Sequence, residues 1–257
     1  MDVFIDSHAH LEMRDFDEDR EEVIKRAREA GVAYIITVGT TLKDCEKAVD
    51  IANQYEAVYA SIGIHPHDAI EVNNKTYDTL RNLAKTSKKV VAYGEIGLDF
   101  FRKISPRQAQ ISRFGEQLDL AADMNLPVII HDREAHRETL ETLAHWKGNK
   151  RGIIHCFSGD KQMAKKCLDM GFYISISGAV TFDKSERLHE IARYVSLTSL
   201  LIETDAPFLT PHPHRGERNE PSYVVHTAAK VALLKDIPLE EVGEATSNNA
   251  KTIFEIA

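Results

Sequence analysis

Eight short apolar runs recur along the 257-residue chain, each separated from the next by a longer amphipathic segment. They are VFID (3–6), VAYIITVG (32–39), AVYASIGI (57–64), VVAYGEIG (90–97), PVIIH (127–131), GIIHCF (152–157), GFYISIS (171–177) and SLLIET (199–204). Several are apolar on consecutive rather than alternate residues, the pattern of parallel strands covered on both faces. Helical signals fill the intervals. TTLKDCEKAVDIA opens with Thr41 as N-cap and sets Cys45, Ala48, Val49 and Ala52 on one face. SPRQAQISRFGEQLDLAADM offers Ser105 as N-cap and Pro106 at the first helical position, with Ile111, Phe114, Leu118 and Ala122 forming a buried stripe. PSYVVHTAAKVALL and PLEEVGEATSNNAKTIFEI close the chain as helices, and the stretch 65–89 has the weakest periodicity. Strands alternating with helices imply a parallel sheet, and their number predicts a closed (β/α)8 TIM barrel, with residues 1–257 as a single domain. The competing architecture is an open doubly wound sheet. That fold usually carries a glycine-rich turn after its first strand, where this chain has His8-Ala9-His10.

Composition narrows the function. The chain carries 32 Lys and Arg against 40 Asp and Glu, a formal charge of −8, so it is not coated for non-specific nucleic-acid binding. A polyanionic substrate needs a local basic rim or metal ions. The cysteines Cys45, Cys156 and Cys167 are odd in number and none forms a Cys-x-x-Cys pair, which argues against a disulfide framework or zinc ribbon and fits a reducing cytosol. The opening MDVFID has no basic region followed by a long apolar stretch. No window approaches the roughly 18 consecutive apolar residues of a membrane span, so a cytoplasmic protein without membrane contact is expected.

Reaction sites of such barrels lie at the C-terminal ends of the strands. His8 and His10 follow the first run, Glu95 falls late in the fourth, His131 ends the fifth, His155 lies near the end of the sixth, and Asp205 follows the eighth. Each alone is compatible with a structural role, as a hydrogen-bonded imidazole, an ion pair or a loop cap. Together they point to one place. Strand residues two apart face the same side, so His8 and His10 can address one ion. Glu95 has two oxygens and can bridge two ions, with His131 and His155 completing a second site; ions roughly 3.5–4 Å apart form a clamp for phosphate esters. Glu203, two residues before Asp205, reads as a carboxylate supporting a ligand, with a buried ion pair as the alternative. Asp99 and Asn219 are placed to order nearby loops. Arg102, Arg133, His212, His214, Arg215 and Arg218 fall on loops at the same face, where they can hold phosphates. Lys147, Lys150 and Arg151 precede a strand and belong to the opposite face. Cys156 is expected to point away from His155 as a small buried group.

These residues carry a family resemblance. FIDSHAHLE, SIGIHPHDA, YGEIGLDFFR, PVIIHDREA, GIIHCFSG and LIETDAPFLTP followed by RGERNEPSYV resemble, in order, the motif series of the TatD-related metal-dependent deoxyribonucleases of the amidohydrolase-like barrel superfamily. The resemblance runs from Asp6 to about Asn249. It implies a two-metal hydrolase of DNA phosphodiesters; a 3′–5′ exonuclease on single-stranded ends is expected, with the end attacked and the acceptance of RNA left open by the sequence. His8, His10, Glu95 and Asp205 would bind one ion and Glu95, His131 and His155 the other, with His65 contacting phosphate and Asp205 as general base. Phe101 stands where many relatives carry Tyr, a departure touching a secondary substrate contact. Glu95 replaces the bridging lysine of many related binuclear enzymes, which disfavours dihydroorotase-like or urease-like chemistry. The nitrogen-rich ligand set suits zinc or manganese, whereas the resemblance implies activity with magnesium or manganese. Two other readings stay open: a related esterase such as a D-aminoacyl-tRNA deacylase, and a non-catalytic metal-binding scaffold. A monomer is expected.

Overall fold

The computed structural model describes residues 3–256. Eight parallel strands, β1 (Phe4–Ala9), β2 (Val32–Val38), β3 (Val58–Ile62), β4 (Val90–Asp99), β5 (Val128–Arg133), β6 (Gly152–Ile154), β7 (Tyr173–Ile176) and β8 (Leu200–Ile202), lie side by side in chain order. A parallel bridge between Ala9 and Ala206 joins the end of β1 to the segment after β8. This is the (β/α)8 barrel, and the open doubly wound sheet is excluded. Around it run α1 (Arg20–Glu29), α2 (Leu42–Gln54), α3 (Asn74–Thr86), α4 (Arg107–Asp123), α5 (His136–His145), α6 (Lys161–Asp169), α7 (Glu186–Tyr194), α8 (Val224–Lys235) and α9 (Leu239–Phe254). None of the described helices is long and apolar enough to cross a membrane.

The barrel changes in polarity along its axis. Near the strand starts, Ile5, Ile36, Val91, Ile129, Ile153 and Leu201 form one buried cluster with Ile253, Phe254 and Ile256 from the chain's end. Hydroxyls follow: Ser7 Oγ lies 3.2 Å from Ser175 Oγ and donates to the Ile202 carbonyl, and Ser61 Oγ donates to the Gly94 carbonyl. Imidazoles and carboxylates occupy the C-terminal ends. The dry floor keeps water to one side, where ionisable groups can be solvated or bound by ions.

Two local expectations are corrected. Thr41 does cap α2, accepting the Asp44 N–H, but α4 begins at Arg107 with Pro106, not Ser105, as its N-cap. The Ser105 hydroxyl is committed elsewhere: it donates to the His67 carbonyl and accepts the Ile70 N–H, tying the loop after β3 to the loop after β4. Within the weakly periodic 65–89 stretch, α3 starts from a capping box between Asn73 and Thr76, after a 3-10 turn at Pro66–Glu71.

Gly97 pairs with His131 across β4 and β5 with φ +143°, and a Cβ there would overlap the His131 carbonyl oxygen. Gly97→Ala is therefore expected to cost about 2–4 kcal/mol. For a chain of this size that is a fall in Tm of about 5–15 °C by circular dichroism. A melting curve superimposable on wild type would show that β4 has room to shift.

Candidate metal centre

Backbone pairing at the barrel seam assembles the first half of the site. The Asp205 N–H donates to the His8 carbonyl and the His10 N–H to the Ala206 carbonyl, at 2.9 and 2.8 Å. Asp6, beneath them, accepts from both the Thr204 N–H and the Thr204 hydroxyl. Burial pushes the Asp6 carboxyl up to about 8, against the pull of those Thr204 hydrogen bonds. Asp205 sits in the left-handed region (φ 56°), which Asp and Asn adopt more readily than other side chains. Its Oδ1 lies 3.5 Å from His10 Nε2 and 3.7 Å from His8 Nε2.

Glu95 faces two different groups with its two oxygens. Oε2 lies 3.5 Å from His8 Nε2 and 3.8 Å from His10 Nε2. Oε1 lies 2.6 Å from His131 Nδ1, 2.8 Å from His155 Nε2 and 3.6 Å from His65 Nε2. Burial alone would raise this carboxyl, but His155, His65 and His131 outweigh it and hold Glu95 well below the usual carboxylate range. For Asp205, too, burial is opposed by the hydrogen bond to His10 and the charges of His8 and His155, and the carboxyl is lowered.

Further polar groups turn the imidazoles inward. His10 Nδ1 is 2.9 Å from the Val38 carbonyl oxygen and 3.1 Å from Glu12 Oε1, while Glu12 Oε2 accepts the Thr37 hydroxyl. That fixes the His10 proton on Nδ1 and leaves the Nε2 lone pair for the centre. His155 Nδ1 faces Glu203 Oε1 at 3.3 Å, and the Cys156 N–H donates to the same oxygen. His131 Nε2 faces Asp99 Oδ2 at 3.6 Å; Asp99 also binds His67 Nε2 and accepts the Phe101 and Arg102 N–H groups. His65 differs: its Nδ1 accepts the His67 N–H, so its proton resides on Nε2, the nitrogen facing Glu95.

A cation fits this arrangement. His8 Nε2 and His10 Nε2 approach to 3.2 Å, and His131 Nδ1 and His155 Nε2 to 3.4 Å. Lone pairs directed at each other over such distances repel unless a proton or cation lies between them. Three sets of donor atoms are mutually close enough to hold an ion: His8, His155 and Asp205; His8, His10 and Glu95; His65, Glu95 and His131. The last set places His65 beside the donors, although its Nε2 carries the proton and its Nδ1 accepts the His67 N–H.

Sequence reasoning missed Asp6, Glu12 and His67. A signal existed for the first two: Asp6 and Glu12 continue the two-residue spacing of His8 and His10. For His67, the repeated His-x-His of "GIHPH" was the available hint.

The outer residues are more dispersed. Arg133 lies over the Phe101 ring at 4.1 Å and Arg215 over Phe182 at 3.9 Å. Arg102 is exposed. Arg218, expected on the phosphate-holding rim, is instead paired with Asp19 and laid over Phe16, because the loop after β8 reaches α1. His214 stacks on Tyr223 at 4.0 Å. Asn219 is buried and donates to the Thr204 and Phe208 carbonyls, ordering the loop after β8. Cys156 lies beyond the end of β6, with φ 42°, so it has no opposite strand face to occupy; its Sγ is 3.4 Å from Ser177 Oγ.

A (β/α)8 barrel with histidines and carboxylates converging at its C-terminal mouth is the architecture of a metal-dependent hydrolase. The chain belongs to the TatD-related DNase family, whose profile matches residues 5–255. It is 42% identical to the metal-dependent hydrolase YabD of Bacillus subtilis, over 99% of this chain and 100% of that one. It is 38% identical to a protein of Erwinia tasmaniensis named 3′-5′ ssDNA/RNA exonuclease TatD, over 98% and 99%. The crystal structure of the TatD homologue YjjV from Escherichia coli superposes with a TM-score of 0.95 at 32% identity, covering all of both chains.

Proposed function

We propose that the protein is a two-metal phosphodiesterase that removes nucleotides from the 3′ ends of single-stranded DNA. The observation that carries this reading is the division of Glu95, whose Oε2 faces His8 and His10 while Oε1 faces His131 and His155. One carboxylate serving two imidazole groups suits two ions that share a bridge. His8, His10, Glu95 and Asp205 would hold the first, and Glu95, His131 and His155 the second. The nitrogen-rich donor set suits manganese or zinc, with magnesium able to support turnover. Bound divalent cations supply Lewis acidity toward a phosphoryl oxygen and bring the pKa of water near neutrality.

The protein's own groups do the rest. Asp205 is 15% exposed in its side chain, against 4% for Glu95 and none for Glu203, so it is the carboxylate open to solvent at the mouth. With Oδ1 turned to His8 and His10, Oδ2 takes the proton of the attacking water. His65, protonated on Nε2, donates to a phosphate oxygen. Glu203 and Glu12 hold His155 and His10 in register. Arg102, Arg133 and Arg215 carry positive charge at this end of the barrel. The exposed ring of Phe208, and the face of Phe101 opposite the Arg133 guanidinium, from the loops after β8 and β4, are surfaces on which unpaired bases stack. Relatives named as single-strand exonucleases support the same substrate.

The test is digestion of 5′- and 3′-labelled single-stranded DNA, duplex DNA and RNA by manganese-loaded protein. Stepwise shortening from the 3′ end of the single strand is expected, with duplex degraded more slowly. Phe101→Ala should raise KM for the oligonucleotide by about 5–50-fold, the worth of one base–aromatic stack. Internal cleavage, or equal rates on duplex and single strand, would contradict the reading.

A further inference from the structure

A cavity opens beside the metal centre, between the loop after β6 and the segment joining β7 to α7, with a volume of about 470 Å3. This lies within the roughly 300–1,000 Å3 range of small-molecule sites. Its floor is shared with the centre: Cys156, which lines it, follows His155 and donates its N–H to Glu203 Oε1 at 2.7 Å. Ser177, 3.4 Å from the Cys156 sulfur, lines it too. Leu188 and Leu209 supply an apolar wall, and Ser158 and Ser185 supply hydroxyls.

Two cations stand at this cavity, Lys184 and Arg187, both exposed. Neither makes an ion pair or side-chain hydrogen bond among the described residues, although the chain has an excess of acidic groups. Arg26, Arg107, Arg113, Arg151 and Arg218, by contrast, are each matched to a carboxylate. The acidic neighbours Asp183 and Glu186 do not line the cavity. Ser185 is the N-cap of α7 and makes no side-chain capping bond, which leaves its hydroxyl free, while Glu186 in the first turn offsets the positive helix end.

We propose that this cavity is a nucleotide subsite, resting on the phosphodiesterase reading above: it binds a nucleoside monophosphate unit adjoining the cleaved bond. Lys184, Arg187 and the Ser185 hydroxyl hold the phosphate, the Ser158 hydroxyl being committed to the Asp132 carbonyl. The wall of Leu188 and Leu209 packs against the sugar and base.

Calorimetric titration of the manganese-loaded protein with deoxyadenosine 5′-monophosphate tests it, with deoxyadenosine and inorganic phosphate as separate probes. The double variant Lys184→Ala/Arg187→Ala should weaken the nucleotide's Kd by about tenfold or more, as loss of charge-assisted bonds requires. Lys147→Ala/Lys150→Ala, which removes the same charge from the opposite face, should bind as wild type. Equal affinity in all three proteins overturns the subsite. So does inorganic phosphate binding as tightly as the nucleotide. Hydrolysis of bis(4-nitrophenyl) phosphate by wild type is measured in parallel; its absence would refute the phosphodiesterase reading, while the titrations still decide the cavity.

Discussion

Glu95→Ala should lower kcat/KM for phosphodiester hydrolysis by at least about 10³-fold, the scale of losing a metal's contribution to transition-state stabilisation. Both ions depend on this carboxylate in the proposed scheme, because Oε1 and Oε2 address separate imidazole groups. Metal content by elemental analysis should therefore fall together with activity, and no choice of added cation should restore the rate. The side chain is buried among imidazoles rather than packed in the apolar floor, so circular dichroism should still report a folded barrel. A Glu95→Ala protein that keeps two equivalents of metal would refute the bridge. If it kept wild-type activity, the measured hydrolysis would belong to a contaminant.

Asp205→Asn should reduce kcat by about 10²–10⁴-fold, the usual contribution of a positioned general base. The substitution keeps size and shape, and Asn tolerates the left-handed backbone at φ 56° as Asp does. Its amide oxygen can still face His8 and His10, so metal content should change less than in Glu95→Ala. KM for a single-stranded oligonucleotide should stay near wild type, because base stacking lies elsewhere on the rim. Retained metals with near wild-type turnover would remove Asp205 from proton transfer and leave it a ligand only.

Much of this protein can be read from local pattern. The eight strands follow from runs of consecutive apolar residues, and their alternation with helices follows from a change of period along the chain. That register placed His8, His10, His155 and Asp205 at or just past strand ends, whereas β4 and β5 run on beyond Glu95 and His131 to Asp99 and Arg133. Other readings failed because their signals were local while their causes were not. Ser105 looks like a helix cap in isolation, but its hydroxyl meets the His67 carbonyl 38 positions away in sequence. Arg218 looks like a phosphate contact until the loop after β8 brings it to Asp19, nearly 200 positions earlier.

The sequence by itself determined the barrel, the order of its strands and the position of six of the ionisable residues at its mouth, since these depend on side-chain period and strand direction. Tertiary structure decided how those groups face one another. Barrel closure set His8 against Asp205, and ring orientations fixed by Val38, Glu12, Glu203 and Asp99 decided which nitrogens point inward. The division of Glu95 between two histidine groups, and the cavity shared by Cys156 and Lys184, arise from contacts between strands and loops distant in the chain. No local period encodes them, because they exist only once the sheet has closed.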